Sequence, residues 1–271
     1  MNLLELVTNQ LGLEPGVLVM VAATQGSVPR EAGACMVVFA RHTVGTVGGG
    51  RLEFEAIDEA RRQLSTAGEG QAPHRRRFPL GPSLGQCCGG VVELQFERVT
   101  LNDADSLRDR LAPRLAPLAL FGGGHVGHAL AQALAPLPFA VTWIDSRETI
   151  FPLQLPEHVT AEHSEPVEGA VQGLAAASRV LIMSFSHAED LDIVAACLRR
   201  LRERNDLPYV GLIGSHTKWA TFRHRLEARG FSAGELSRVT CPIGLPGITG
   251  KSPEIIAASV AAQLLLVAPP L

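Results

Sequence analysis

A glycine-rich turn between an apolar run and a helical pattern constrains the fold of this chain more than any other feature. The segment LALFGGGHVGHAL contains the pattern GxGxxG at Gly122, Gly124 and Gly127. Asp145 ends the next strand-like run, about twenty residues later, where an acidic residue holds the ribose in dinucleotide sites. A lone GxGxxG is a weak signal, but one that follows a strand and opens a helix predicts a Rossmann-type unit.

The same turn predicts a bound dinucleotide less strongly than it predicts the fold. Glycines are needed there simply to pack a helix closely against a strand. An NAD(P) site built from Gly122, Gly124, Gly127 and Asp145 and a pure packing role are therefore about equally supported. Arg147, beside Asp145, leaves NAD and NADP as open alternatives.

Strand and helix patterns alternate over the whole second half of the chain. The strand-like runs are LALFGGG, FAVTWIDSR, VTAEH, RVLIMSFSH and YVGLIGS, and helical patterns separate them, including PVEGAVQGLAAA. Such alternation is typical of a doubly wound parallel sheet. We therefore expect residues 118–271 to form a Rossmann-like α/β domain.

The first hundred residues follow a different pattern. Helical segments (LELVTNQLG and RLEFEAIDEARRQLSTAG) mix with valine-rich strands (GVLVMVAATQG, ACMVVFA, HTVGTVGGG and CGGVVELQFERV). This mixture predicts a smaller α+β domain over residues 1–100. Residues 101–117 lose the periodicity and gain charge and prolines, which indicates a short helix and a linker.

Charge and apolar patterning exclude several classes of protein. A formal charge of −3 and a pI near 6.3 argue against a nucleic-acid partner. The basic run His74–Arg77 is favoured as a solvated stretch before a strand, with an anion contact as the alternative. The N-terminus shows no signal-peptide pattern, and the apolar C-terminal segment is short and interrupted by Ser259 and Gln263. We expect a soluble cytoplasmic protein with reduced thiols and no membrane segment.

The stretch LGQCCGGVVEL places two adjacent cysteines in a glycine-rich turn. Cys87 and Cys88 are too close for a relaxed disulfide and lack the CxxC spacing of a zinc site. The flanking Gly89 and Gly90 remove side-chain bulk, so a large group could approach the sulfurs. Buried thiols in a tight turn are the alternative, but we favour accessible thiolates that meet a soft metal centre. Two adjacent residues cannot complete a coordination shell, so such a metal would arrive already ligated.

Two further segments could meet an anion. The glycines Gly48, Gly49 and Gly50 precede a helix that starts at Arg51, which suits a phosphate or carboxylate as well as it suits a plain turn. Lys251 lies in GKSP, which resembles a Walker A loop but has Leu245 where that motif needs glycine. We keep Arg51 and Lys251 as candidate anion contacts.

Two histidine-containing pairs have spacings that deserve a test. His125 and His128 could bind a metal, but one lies in the glycine turn and the other on its helix, so a structural role is favoured. His187 and Asp190 follow a predicted parallel strand at its carboxyl end, where α/β proteins bind ligands. They are candidates for a binding site.

Several motifs in one order give the chain a family resemblance. GSVPREAGACMVV, VGGGRLEFEAI, GQCCGG, FGGGHVGHAL, YVGLIGSHTKWATFRHRL and CPIGLPGITGKSPEIIAASVAAQLL closely resemble the XdhC family of xanthine dehydrogenase accessory proteins. The resemblance covers nearly the whole chain. It implies a chaperone that binds and protects molybdenum cofactor, supports its sulfuration with a cysteine desulfurase as sulfur donor, and delivers it to the molybdenum subunit of xanthine dehydrogenase. It also implies a small N-terminal domain, a Rossmann-like C-terminal domain and a homo-oligomer such as a homodimer.

The resemblance assigns expected roles to the candidate residues. Cys88, with Cys87 as helper, would meet the molybdenum, because the family pattern keeps a cysteine directly before Gly-Gly. Gly48–Gly50, Arg51 or Lys251 would meet the phosphate of the cofactor. The alternatives are an NAD(P)-dependent oxidoreductase that uses the Rossmann domain, and a regulatory or scaffolding protein with a degenerate nucleotide site.

Overall fold

The structure is a computed structural model that describes residues 3–66, 72–80 and 89–267. The chain divides into two compact units, residues 1–112 and residues 113–271. Cys87 and Cys88, the predicted metal contacts, lie outside the described residues.

The first unit is a five-stranded sheet with three helices. Its elements are α1 (Leu3–Leu11), β1 (Gly16–Gln25), β2 (Cys35–Val38), β3 (Thr43–Gly45), α2 (Gly50–Ser65), β4 (His74–Pro79), β5 (Val91–Val99), a 3-10 turn (Leu101–Asp103) and α3 (Ala104–Leu111). The strand order is β3-β2-β1-β5-β4, and every pair is antiparallel. The smaller domain is thus an antiparallel sheet with helices on it.

Strand β1 is apolar on both faces because both faces of the sheet are covered along its first half. Val17, Val19 and Val21 pack in one cluster with apolar residues of α2. Leu18 points the other way, into a cluster that includes residues of α1 and α3. Period-two alternation divides the valine-rich run between two cores, which explains why it lacks polar positions.

The basic run His74–Arg77 is itself strand β4, so its interpretation as a stretch before a strand was wrong. It pairs with β5, and its arginines find carboxylates on neighbouring elements: Arg75 pairs with Glu93, and Arg76 pairs with Glu59. Cross-strand pairs of opposite charge stabilise such an exposed strand.

The segment between the two expected domains is ordered and divides between the units. A capping box formed by Thr100 and Asp103 opens the turn that leads into α3. Leu107 of α3 is buried in the cluster shared with α1, so this helix belongs to the first unit. The second unit reaches its first strand at Ala116.

The second unit is a six-stranded sheet with helices on both faces. Its elements are β6 (Ala116–Phe121), α4 (His125–Leu134), β7 (Phe139–Asp145), a 3-10 turn (Glu148–Ile150), β8 (Val159–His163), a 3-10 segment (Val167–Gly173), β9 (Arg179–Ile182), α5 (His187–Arg204), β10 (Tyr209–Leu212), α6 (His216–Ala228), α7 (Ala233–Leu236), β11 (Val239–Thr240) and α8 (Pro253–Val267).

All six strands are parallel, in the order β11-β10-β9-β6-β7-β8. Numbered within the unit and read from β8, this is the order 3-2-1-4-5-6 of dinucleotide-binding Rossmann folds. The order of the strands changes direction between β6 and β9, which are parallel neighbours. Residues of α5 and α6 pack in one core, and residues of α4 and α8 pack in the other. The predicted α/β class with a doubly wound parallel sheet is confirmed.

One predicted helix is a 3-10 segment instead. The run PVEGAVQGLAAA forms 3-10 turns over Val167–Gly173, and the buried guanidinium of Arg200 donates to the carbonyl oxygens of Val171 (2.7 Å) and Leu174 (2.9 Å). Two glycines weaken an α-helix there, and Arg200 supplies donors that a regular helix would supply from its own backbone. Short elements α7 and β11 were not predicted. None of the helices in the described ranges has the length and apolarity needed to cross a membrane.

Candidate functional site

The loop after β1 packs tightly against Gly90, the residue that precedes β5. A Cβ on Gly90 would lie 2.4 Å from the carbonyl oxygen of Ser27 and 2.6 Å from that of Gln25, so only glycine fits there. The N–H of Leu80 donates to the carbonyl of Gly90 across 2.7 Å. Leu80 and Gly90 therefore hold the two ends of the hairpin together beside the loop after β1.

The same loop contacts the second glycine turn. Gly48 has a φ of +130°, and a Cβ on it would lie 2.6 Å from Cγ of Pro29. The segment Gly26–Arg30 thus touches both Gly90 and Gly48. The sequence analysis gave this segment no role of its own, although GSVPREAG carries part of the family resemblance.

The predicted anion cradle at Gly48–Gly50 already holds a carboxylate of the chain. One oxygen of Glu53 accepts hydrogen bonds from the N–H groups of Val47 and Gly49, each at 3.1 Å, and from the hydroxyl of Thr46. Burial raises the pKa of Glu53, but these hydrogen bonds outweigh burial and leave the pKa below its ordinary value. The turn is built for an anion, and Glu53 is that anion.

The other cradle candidates lie at the start of α2. The helix begins at Gly50, and a Cβ on Gly49 would meet nothing within 4 Å. Arg51 forms an ion pair with Glu55 one turn along the helix, at 3.1 Å. An external phosphate would therefore have to share this helix end with two glutamates.

The three glycines of the GxGxxG pattern have three separate functions. Gly122 has a φ of +120°, and its Cβ would lie 2.0 Å from the carbonyl oxygen of Met183. A Cβ on Gly127 would lie 2.0 Å from the carbonyl oxygen of Gly122, so helix α4 packs directly on the turn. A Cβ on Gly124 would meet nothing within 4 Å. This division into a tight turn, an open approach and a close helix contact is the one that dinucleotide-binding turns have.

Asp145 is placed beside that turn, but its oxygens are already engaged. The buried carboxylate accepts hydrogen bonds from the N–H of Gly123 (2.6 Å) and from the N–H, Nε and Nη2 of Arg147 (2.8–2.9 Å). Burial raises the pKa of Asp145, but the hydrogen bonds from Arg147 and Gly123 outweigh burial and leave the pKa below its ordinary value. Arg147 also lies over the exposed ring of Phe185, 4.5 Å from its centroid. A ribose hydroxyl would have to displace Arg147 to reach Asp145.

A second ion pair occupies the carboxyl ends of β9 and β10. Buried Asp190 accepts from Nζ of Lys218 (2.6 Å) and from the N–H and hydroxyl of Ser184 (2.8 and 2.7 Å). Lys218 was not among the sequence candidates, because 28 residues separate it from Asp190 and only the parallel sheet brings them together. Burial raises the pKa of nearby Cys241 to about 11, so this thiol is neutral. His187 contacts the ring of Phe222 edge-on, and Nζ of Lys218 lies over the same ring.

The histidines of the glycine turn line an apolar cavity rather than a metal site. The cavity measures about 610 Å³ and lies between α4 and α8, with His125 and His128 on its α4 wall. His128 packs edge-on against Trp143, with 4.7 Å between ring centroids. No group of three or more potential metal ligands occurs in the described part of the chain.

Lys251 is exposed in the loop that precedes α8. Two polar residues of that helix fix the loop: the N–H of Leu245 donates to the Ser259 hydroxyl (2.7 Å), and Gln263 bonds both backbone groups of Gly244 (2.8 and 3.2 Å). Ser259 and Gln263 are thus the positions where the apolar helix holds this loop in place.

Comparisons with known proteins place both units in one family. The family model described as XdhC Rossmann domain matches residues 118–264, and the model described as XdhC and CoxI family matches residues 13–78. Uncharacterized protein YqeB from Escherichia coli (strain K12) is 28% identical over 255 residues, which are 93% of this chain but only 43% of that protein. The fold is also similar to that in the crystal structure of a xanthine dehydrogenase from Bacillus halodurans, with a TM-score of 0.74, 20% identity, and coverage of 98% of this chain and 96% of the other. The chain belongs to the XdhC family.

Proposed function

We propose that this protein is a chaperone for molybdenum cofactor that protects the cofactor, supports its sulfuration by a cysteine desulfurase, and delivers it to xanthine dehydrogenase. The observation that carries the proposal is the meeting of three glycine-containing segments at one end of the first sheet. Gly26 contacts Gly90, and the segment Gly26–Arg30 also contacts Gly48; Gly90 is two residues from Cys88 in the sequence. Family membership supports the same assignment.

The chemistry of the cargo fits what this end of the sheet offers. A thiolate is a soft ligand that suits a molybdenum centre already held by a dithiolene. A Cβ on Gly89 would meet none of the described residues within 4 Å, which supports a backbone open to a large group at this position. In this proposal Cys88 contacts the metal end, Cys87 assists, and the protein transfers the cargo as a homodimer without changing it chemically.

The test compares cysteines within the first unit. Cys88→Ser should retain at least tenfold less cofactor per folded chain under anaerobic, reducing conditions, and should activate cofactor-free xanthine dehydrogenase correspondingly less. Cys35→Ser is the matched control: Cys35 lies in β2, and burial raises the pKa of its thiol, so it should retain cofactor like the parent. A parent protein that takes up no cofactor would refute the function, and equal retention by the Cys88 variant would refute the cysteine mechanism.

A second candidate function is binding of NAD(P) by the second unit, as in an NAD(P)-dependent oxidoreductase. It is favoured by Gly122, Gly124 and Gly127, which provide the turn, the open approach and the close packing that a pyrophosphate site needs. Arg147 lies where the adenosine end would bind and suits the additional phosphate of NADP. Calorimetric titration with NADH and NADPH tests it, with Gly124→Val as the blocked variant. If the parent shows no heat of binding with either NADH or NADPH, the three glycines serve only to pack the helix against the strand.

A further inference from the structure

Three consecutive arginines on strand β4 have different surroundings. Arg76 lies on the α2 face, where it pairs with Glu59 (3.2 Å) and lies over the ring of Phe78. Arg75 lies on the opposite face and donates to Glu93 (3.1 Å) and Gln95 (3.2 Å). Arg77 makes no hydrogen bond or ion pair to the residues that the structure describes. One guanidinium of the three is therefore left available.

Arg77 lines a cavity of about 290 Å³ on the face of the sheet opposite α2. The rest of the wall comes from the end of β1 and the start of β5: Ala23, Thr24, Gln25, Val91 and Glu93. Arg77 and Glu93 are directly opposite in the strand register. Glu93 also lines the cavity, but it is paired with Arg75, which leaves the guanidinium of Arg77 as the lining charge without a counter-ion among the described residues.

The position of the cavity links it to the proposed cargo site. Val91 follows Gly90 directly, and Gln25, its partner in the strand register, precedes Gly26, so this end of the cavity adjoins the contacts between Gly26 and Gly90. Thr24 and Gln25 add a hydroxyl and an amide that can donate hydrogen bonds. The cavity thus combines a forked cation, neutral donors and an apolar floor.

The other predicted anion site in the same unit is less suitable. Glu53 already accepts the N–H groups of Val47 and Gly49, and a second anion there would meet its negative charge. The guanidinium of Arg77, by contrast, has no carboxylate partner among the described residues.

We propose that the Arg77 cavity binds the phosphate monoester of the pterin cofactor, an inference that rests on the proposed cofactor-binding function. Arginine suits this group because its planar guanidinium donates two parallel hydrogen bonds to phosphate oxygens. The metal end of the cargo would then be held separately, by contacts that do not involve Arg77. Affinity for the metal-free pterin should depend on Arg77 even though no molybdenum is present.

The experiment uses the full chain and two metal-free probes. The first is the oxidised, fluorescent pterin that retains the phosphate, and the second is the same pterin after phosphatase treatment. The parent should bind the phosphorylated probe about tenfold to a hundredfold more tightly, the range expected for a charge-assisted contact. Arg77→Gln should remove that difference, and Arg77→Lys should retain part of it.

Arg76→Gln is the matched control, since it makes the same change one residue away on the other face of the sheet. It should bind both probes like the parent. Thermal melts of all variants check the fold. The inference is overturned if the parent binds the two probes equally, or if the Arg77→Gln variant still prefers the phosphorylated probe. In either case, uptake of the intact cofactor by the parent would still support the proposed function. A parent that binds neither the probes nor the intact cofactor overturns both.

Discussion

Replacing Glu53 with alanine should destabilise the first unit and expose an anion site. The change removes three hydrogen bonds to one carboxylate oxygen, from Thr46, Val47 and Gly49. Each such bond to a charged group contributes about 1.5–3 kcal/mol when buried, but this side chain is only half-buried. After discounting for solvent, we expect the free energy of unfolding to fall by about 2–3 kcal/mol in total. Urea denaturation of the full chain, followed by far-UV circular dichroism, measures the loss.

The pH dependence of that loss has a defined sign. The pKa of Glu53 in the folded protein is below its ordinary value of 4.5, so the carboxylate stabilises the fold above that value and the stabilisation disappears as pH falls through the folded pKa. The difference between the parent and Glu53→Ala should therefore be largest near neutral pH and shrink in acid.

Anion rescue and a matched control complete the test. If an added anion binds the vacated N–H groups with a dissociation constant of about 10 mM, about 100 mM formate or phosphate should restore about 1.4 kcal/mol. Glu55→Ala, which removes only the ion pair with Arg51, should cost about 0.3–0.5 kcal/mol and show no rescue. Equal losses in the two variants, or a loss that persists unchanged in acid, would refute the account of this turn.

Three further outcomes follow from contacts in the second unit. Gly127→Ala should lower the free energy of unfolding by about 2–3 kcal/mol in urea titrations, because its Cβ would lie 2.0 Å from the carbonyl oxygen of Gly122, whereas Gly124→Ala should change it by less than about 1 kcal/mol. Arg200→Leu should cost about 3 kcal/mol in the same assay, since several buried carbonyls lose their donor. Cys197, whose pKa burial raises to about 12, should resist iodoacetamide at pH 8 until the chain is unfolded, as judged by mass spectrometry.

The architecture of the second unit was predictable because its signals are local. A glycine turn between Phe121 and His125 marks a strand-to-helix junction, and right-handed crossovers between parallel strands then restrict the possible strand orders. The 3-10 segment was not predictable, because the donors that satisfy it come from Arg200, 29 residues beyond Val171. Strand β4 was missed for a related reason, since its compensating carboxylates lie on other elements.

The candidate site likewise combines features that the sequence indicated with contacts that it could not show. The glycines at Gly48–Gly50 indicated an anion, and the first-turn acid Glu53 was the signal for which anion binds there, because acidic side chains favour helix N-termini. Arg147 is only two residues from Asp145, so the sequence placed them side by side, although it did not show that the guanidinium folds back onto the carboxylate. Nothing local could show that Lys218 reaches Asp190, because that contact depends on how separate strands end at one edge of the sheet.

Strand β4 also bears on how the protein behaves at high concentration. Among the described residues it is the last strand of its sheet and pairs with β5 alone, and an open strand edge is a template on which a second chain can add. Of the basic residues on this strand, Arg75 and Arg76 are paired with Glu93 and Glu59, which leaves the charge of Arg77. Two such edges would bring like charges together, so this side of the sheet resists the edge-to-edge pairing that starts aggregation. A homodimer of this protein would accordingly be built on a different surface.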